Sequence, residues 1–301
     1  RFGSLGLTID RFVTRLSAER AEGFSARGPG SERALAYAAA YAAAREMRGG
    51  VRLTLHEVIP EHAGLGSGTQ MALAVGTALE RLYGSESDPR AIAQTLKRGM
   101  RSGIGIGAFE DGGFIVDCGR GEREEAPPIA LRLPFPEPWR ILLLFDHRSR
   151  GLHGTREVDA FSCLPEFPEE SAGRLCRLLL MKLVPGLLGQ DLTPVAEAIG
   201  EIQRVVGSHF APAQGGCFTS PAVAEALDWA EDQGLTGSGQ SSWGPTGFVL
   251  VEDEAAARRL QRGLKHRFGE LSPLRYEIVA ARNRGATVEV TRPPLQLRRR
   301  E

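Results

Sequence analysis

The sequence predicts an α+β protein, and three observations carry that expectation. Period-two apolar segments and helix-spaced apolar segments are mixed along the chain without strict βαβ alternation. Helix starts are marked by capping residues ahead of proline, as in Asp88-Pro89, Thr193-Pro194 and Ser220-Pro221. The last third then repeats a helix–loop–strand theme, which suits a second unit beginning near residue 150. Two domains are therefore expected, 1–150 and 151–301, from a chain of 301 residues that is 42% hydrophobic and 25% charged.

The elements follow in order. Gly3 to Arg15 alternates well enough for a strand, and the alanine-rich run from Ser31 to Met47 reads as a helix ended by Gly49-Gly50. Val51 to Ile59 has period two and reads as a half-buried strand, stopped by Pro60. Thr69 to Tyr83 is apolar on nearly all faces, the mark of a buried helix. A helix starts at Asp88-Pro89, and Gly112 to Val116 and Arg140 to Phe145 are strand-like. The polar, proline-rich stretch from Gly121 to Pro138 reads as a surface connection, and His147 to Gly154 as a loop. Helices are expected over 169–188, from Thr193 to about Gly207, from Ser220 to Gly234 and over 254–268; strands are expected over 247–251 and 276–281.

Composition excludes several classes of function. The formal net charge is zero, so no global basic field argues for nucleic acid. Only Lys97, Lys182 and Lys265 are lysines, and a GC-rich coding sequence accounts for the arginine bias. Cys118, Cys163, Cys176 and Cys217 are scattered, which suits reduced cytoplasmic thiols better than zinc or a disulfide framework. No apolar run is long enough to span a bilayer and no secretory signal is read. The chain opens at Arg1 on an apparent strand, without methionine, so a preceding segment is expected.

The segment Pro60-Glu61-His62-Ala63-Gly64-Leu65-Gly66-Ser67-Gly68-Thr69-Gln70 carries the strongest chemical signal. Alternating glycines at 64, 66 and 68 let the backbone approach a ligand and turn its N–H groups inward. A helix start adds unpaired donors and the positive end of its dipole, and Ser67 and Thr69 add hydroxyls. This suits phosphate or diphosphate, with a tight strand-to-helix turn as the plain alternative. It is not a Walker loop, because the Gly-Lys-Ser/Thr ending is absent. Gly64, Gly66, Ser67, Gly68, Thr69 and Gln70 are the candidate phosphate ligands.

Strand, proline, Gly-Leu-Gly-Ser-Gly and buried helix together resemble the second motif of the GHMP kinase superfamily. That resemblance implies a ribosomal protein S5 domain 2-like N-terminal part and a ferredoxin-like C-terminal part. Many members carry a Ser-Gly-x-Asp segment whose Asp helps activate the substrate hydroxyl; here Arg101-Ser102-Gly103-Ile104-Gly105 places Gly105 there. The third motif is also altered. Gly237-Ser238-Gly239-Gln240-Ser241-Ser242-Trp243-Gly244-Pro245 has polar side chains and a tryptophan where kinases pack glycines.

Four segments together resemble the β-ribofuranosylaminobenzene 5′-phosphate synthase family, which shares the GHMP fold. They are HAGLGSGTQMALAVG, RSGIGIGAFEDGGFIVDCGRG, EIQRVVGSHFAPAQGG and GQSSWGPTGF, and RFGSLGLTID and RGLHGTREV fit as well. The resemblance implies a cytoplasmic enzyme of methanopterin biosynthesis, a homodimer using Mg2+. It would join phosphoribosyl diphosphate to 4-aminobenzoate or 4-hydroxybenzoate with loss of CO2 and diphosphate. An ATP-dependent small-molecule kinase is the alternative, and a non-catalytic ligand-binding regulator a further one.

Arg150, Gln240, Ser241 and Trp243 are the expected catalytic residues. Arg148, Arg150 and Arg156 flank Gly151-Leu152-His153-Gly154, where guanidinium groups could pair with a phosphate or carboxylate; a solvated loop is the alternative. Arg101 and Ser102 could bind an anion or simply form a turn. Gln203 and Gln214 could line a pocket, and Ser242 joins the hydroxyl cluster beside Trp243, whose indole could stack on a benzoate ring. His62 could donate to phosphate. Asp146 at a strand end could bind Mg2+, with an exposed loop acid as the alternative. No metal cage is read from spacing.

Overall fold

The structure is a computed structural model that describes residues 3–121, 125–148, 164–269 and 272–291. Its first unit is a three-stranded sheet, β2 (Arg15–Ala21), β4 (Gly50–Glu57) and β3 (Ser25–Arg27), in the order β2-β4-β3. The β2–β4 pair is antiparallel and β3–β4 is parallel. Helices α1 (Ser31–Ala44) and α2 (Ser67–Leu82) cover it, and Tyr41, Leu53, Met71, Leu73 and Leu79 are fully buried between them. Each such apolar side chain contributes roughly 1.5–3 kcal/mol by leaving water. Helix α2 begins at Ser67, two residues ahead of the sequence expectation, and is buried around most of its circumference as its composition implied.

Helix α3 (Pro89–Thr95) starts as its sequence indicates, with the Asp88 carboxylate accepting from Arg90 N at 2.9 Å. Helix α4 (Ile104–Glu110) leads into β5 (Phe114–Asp117). That strand lies at the centre of an antiparallel sheet between β1 (Ser4–Leu7) and β6 (Ile129–Leu133). Two sequence expectations change here. Of the run from Gly3 to Arg15 only β1 is strand, and β2 starts at Arg15: the chain bends at residues 10–12, Phe12 has φ 58°, and Ile9 bridges to Ala281. The polar stretch 121–138 contains β6, an edge strand half exposed on one face, which explains its weak apolar signal.

The third sheet has the order β10-β7-β9-β8, from β7 (Arg140–Asp146), β8 (Ser238–Gln240), β9 (Gly247–Val251) and β10 (Leu274–Ala280), all antiparallel. Strand β7 thus precedes residue 150 and pairs with strands that follow it. Its continuous apolar run has a simple cause, because both faces of this sheet are covered. Ile141 and Leu143 face one cluster, which holds Leu183, Leu187, Val195 and Ile202. Leu142 and Leu144 face another, which holds Val223, Leu227, Leu260 and Leu264.

Helix α5 (Glu169–Leu178) continues through a π-helical turn (Leu179–Leu183) into α6 (Val184–Gly189). Helix α7 (Leu192–Gln214) has Asp191 as its cap and does not stop at Gly207, as the sequence suggested. Glycine there is a packing residue, since a Cβ on Gly207 would lie 2.6 Å from the Cys217 carbonyl oxygen. Helix α8 (Pro221–Asp232) is capped by Ser220, whose hydroxyl accepts from Val223 N at 3.1 Å, and α9 (Glu254–Phe268) has the predicted bounds. Among the described residues, no helix is long and apolar enough to cross a membrane.

Candidate active site

Residues 61–66 turn out of β4 and feed α2. Gly64 and Gly66 have φ 73° and 72°, in the left-handed region, and Gly66 is the N-cap residue. The first N–H groups of a helix have no partner within it, so Ser67, Gly68 and Thr69 present donors at the positive end of the α2 dipole. This geometry, a left-handed glycine turn opening a helix, is of the kind that suits an anion.

The third-motif loop meets this cradle directly. Ser241 Oγ donates to the Gly64 carbonyl at 2.8 Å, across 177 residues of sequence. A Cβ on Gly64 would lie only 2.2 Å from the Ser241 carbonyl oxygen, so glycine is required there by contact as well as by φ.

The remaining candidates divide into groups with different work. Gln70 Nε2 donates to the Gly105 carbonyl at 2.6 Å, and Thr69 packs against Gly105, tying α2 to α4. A Cβ on Gly105 would lie 2.9 Å from Thr69 Cγ2, so a carboxylate side chain at 105 could enter only if Thr69 moved. Ser102 is a turn residue: its hydroxyl donates to Asp117 Oδ2 at 2.8 Å. The buried Asp117 carboxylate also accepts from the N–H groups of Gly103, Ser4 and Gly119. Arg101 is exposed beside it.

Gln240 is buried, with every end of its amide engaged. Its Oε1 accepts from Thr219 N at 2.6 Å, and its Nε2 donates to the Ser242 carbonyl at 3.0 Å and to Gln214 Oε1 at 3.3 Å. Gln203 on α7 accepts from Gln240 N at 2.9 Å, and Gln214 donates to the Cys217 carbonyl at 2.8 Å. Trp243 is 9% exposed, and its ring meets Phe210 edge-on at 4.8 Å. Phe210 continues a row of rings through His209 to Phe167. Ser242 is exposed, with φ 54°. This loop is thus a hydrogen-bonded frame rather than a set of free side chains. Arg150, His153 and Arg156 lie outside the described residues.

Asp146 is not an exposed loop acid. It is buried, its carboxylate accepting from Ser220 Oγ at 2.7 Å and from Arg148 N at 2.9 Å. His62 is exposed, 3.9 Å from Glu61. Burial, and after it the Asp228 carboxylate, push the Cys217 thiol above its usual value, which favours the protonated thiol.

Sequence reasoning missed Arg33 and Arg98. Arg33 Nη1 donates to Ser67 Oγ at 3.4 Å, and Arg98 lies against Gly68, 3.6 Å from a Cβ placed there. Nothing in their local sequence marks them, since they lie about 30 residues to either side of the cradle. Beside Arg33 a polar cavity of about 420 Å³ is lined by Gly30, Ser31, Glu32, Arg33 and Glu61.

Comparison with known proteins agrees with this architecture. Residues 34–113 match the GHMP kinases N terminal domain and residues 183–270 match GHMP kinases C terminal. A homoserine kinase structure from Cytophaga hutchinsonii superposes with TM-score 0.63 at 18% identity, over 93% of this chain and 90% of that one. The fold is therefore that of the GHMP kinases. Within it, the chain is 32% identical over 245 residues to the beta-ribofuranosylphenol 5'-phosphate synthase of Methanothermobacter thermautotrophicus, covering 77% of this chain and 72% of the relative. It is 31% identical to the synthase of that name from Archaeoglobus fulgidus, covering 96% and 92%. The chain belongs to the beta-ribofuranosylphenol 5'-phosphate synthase family.

Proposed function

We propose that this protein is a decarboxylating phosphoribosyltransferase that joins phosphoribosyl diphosphate to 4-hydroxybenzoate or 4-aminobenzoate. The observation that carries the choice over a kinase is the seam at Gly105, where Thr69 packs against the position of the kinase carboxylate. The family name carried by the relatives, a ribofuranosylphenol phosphate synthase, supports the hydroxy acid as acceptor.

The bond from the anomeric carbon to the diphosphate oxygen breaks, and its electron pair leaves with diphosphate. The N–H groups at the start of α2 face that developing charge as fixed dipoles. The ring carbon bearing the carboxylate forms the new bond to the sugar. The bond to the carboxylate carbon then breaks, its electrons restore the aromatic ring, and CO2 departs. No hydroxyl proton has to be abstracted, so a general base at 105 is unnecessary.

Among the described residues, no group of three or more His, Cys, Asp or Glu could hold a metal ion by itself. Mg2+ fits the donor chemistry nonetheless, since it is commonly held by substrate phosphates, water and one or two carboxylates. Glu32 and Glu61, which line the cavity beside Arg33, would hold it, and it would supply neutralisation of diphosphate charge. We expect a cytoplasmic homodimer, with no nucleic-acid or membrane partner.

Incubation with phosphoribosyl diphosphate, Mg2+ and carboxyl-labelled 4-hydroxybenzoate or 4-aminobenzoate should release labelled CO2. Folded protein that releases none from either acid, or that consumes ATP with a hydroxylated acceptor, would count against this reading.

A further inference from the structure

Two guanidinium groups stand at the first turn of α2. Arg33 reaches Ser67 Oγ with Nη1, lies 3.3 Å from the half-exposed Glu61 carboxylate with Nη2, and touches Met71 Sδ with Nε. Arg98 stacks on the Tyr37 ring, its Cζ 5.1 Å from the centroid, with Nη1 towards Gly68. Arg98 Nε is shielded from solvent without a hydrogen-bond partner, and among the described residues no carboxylate pairs with this side chain. Tyr37 is 8% exposed, and its hydroxyl, 3.7 Å from a Cβ placed on Gly68, is likewise buried without a partner.

Leaving such groups shielded and unpartnered is costly, because a buried donor forfeits its bonds to water and a cation also forfeits hydration. Here that cost is concentrated where the α2 backbone also presents unpaired N–H groups. An anion with several acceptor oxygens answers all of them together. A diphosphate offers more acceptor oxygens than a single phosphate for Ser67, the backbone donors and the two guanidinium groups.

We propose that Arg33 and Arg98, with the Tyr37 hydroxyl, form a cationic clamp on the diphosphate, holding it against the first turn of α2. The proposal rests on the transferase reading and assigns its leaving-group contacts. Arg33 exchanges its ion pair with the exposed Glu61 for a phosphoryl oxygen, and Arg98 is pre-oriented by its stack on Tyr37. Both then carry fixed positive charge at the atoms that receive the electron pair when the glycosidic bond breaks.

Isothermal titration of the full chain with inorganic pyrophosphate tests the clamp separately from turnover. Arg33→Ala and Arg98→Ala should each weaken pyrophosphate binding by about tenfold or more, with circular dichroism unchanged. If Arg98→Ala does not fold, Arg98→Gln keeps a planar group on Tyr37 while removing the charge and should show the same loss. Parent-like pyrophosphate affinity in a folded Arg33 or Arg98 variant, while the parent still releases CO2, overturns the clamp alone. A parent protein that binds ATP but no pyrophosphate overturns the clamp together with the reading beneath it.

Discussion

The cradle at 64–68 and the loop at 240–243 are both polar and touch each other, yet they handle their polar groups in opposite ways. The cradle leaves donors unpaired: the first N–H groups of α2, the Tyr37 hydroxyl and Arg98 Nε. The loop consumes its own, with Gln240 bonded to Thr219, Ser242 and Gln214 and with Trp243 buried against Phe210. Unspent hydrogen-bonding capacity marks a surface built to receive a ligand, whereas spent capacity marks a support. Gln240 and Trp243 sit in the same loop as Ser241, which meets the cradle at the Gly64 carbonyl.

The largest effect should come from breaking the junction itself. In Gly64→Ala the methyl group would meet a backbone carbonyl at 2.2 Å while the residue keeps φ 73°. Urea unfolding should show a loss of about 3 kcal/mol, with CO2 release abolished. A variant of parental stability would mean that the two loops are not tightly joined.

Emptying the support should come next. Gln240→Ala strands the Thr219 N–H and the Ser242 carbonyl, so stability should fall by about 2 kcal/mol. The near-ultraviolet signal of Trp243 should change with it. If activity is lost while both readouts stay parental, Gln240 contacts substrate directly and the contrast fails.

Ser102→Ala gives the smallest effect and the finest discrimination. It removes one of four hydrogen bonds to Asp117, at about 1 kcal/mol of stability, and should shift pyrophosphate affinity by less than about twofold. A tenfold loss would return Ser102 to the phosphate site.

Local chemistry explains what could be read in advance. Helix α3 announces itself by Asp88-Pro89, and the turn into α2 by glycines spaced two apart. These signals are complete within a few residues. Strand β6 escaped because an edge strand with alternate residues exposed needs little apolar character. The far end of α7 escaped because Gly207 reads as a stop unless its contact with Cys217 is known. Arg33 and Arg98 escaped for the same reason at longer range: their meaning comes from α1 and the segment after α3 converging on α2. The loop around Trp243 was legible as a polar cluster but not as a hydrogen-bonded frame, since burial of a side chain is a property of the assembled fold.

The bond from Ser241 to Gly64 also has a consequence for the order of events during synthesis. Residues 15–82 hold the β2-β4-β3 sheet, α1, α2 and most of the apolar cluster between them, and can begin to pack before the rest of the chain exists. The glycine turn inside that unit nonetheless takes its final support from a serine 177 residues downstream. A nascent chain therefore builds this turn early but closes it only late, once residue 241 has left the ribosome and Ser241 can reach the Gly64 carbonyl.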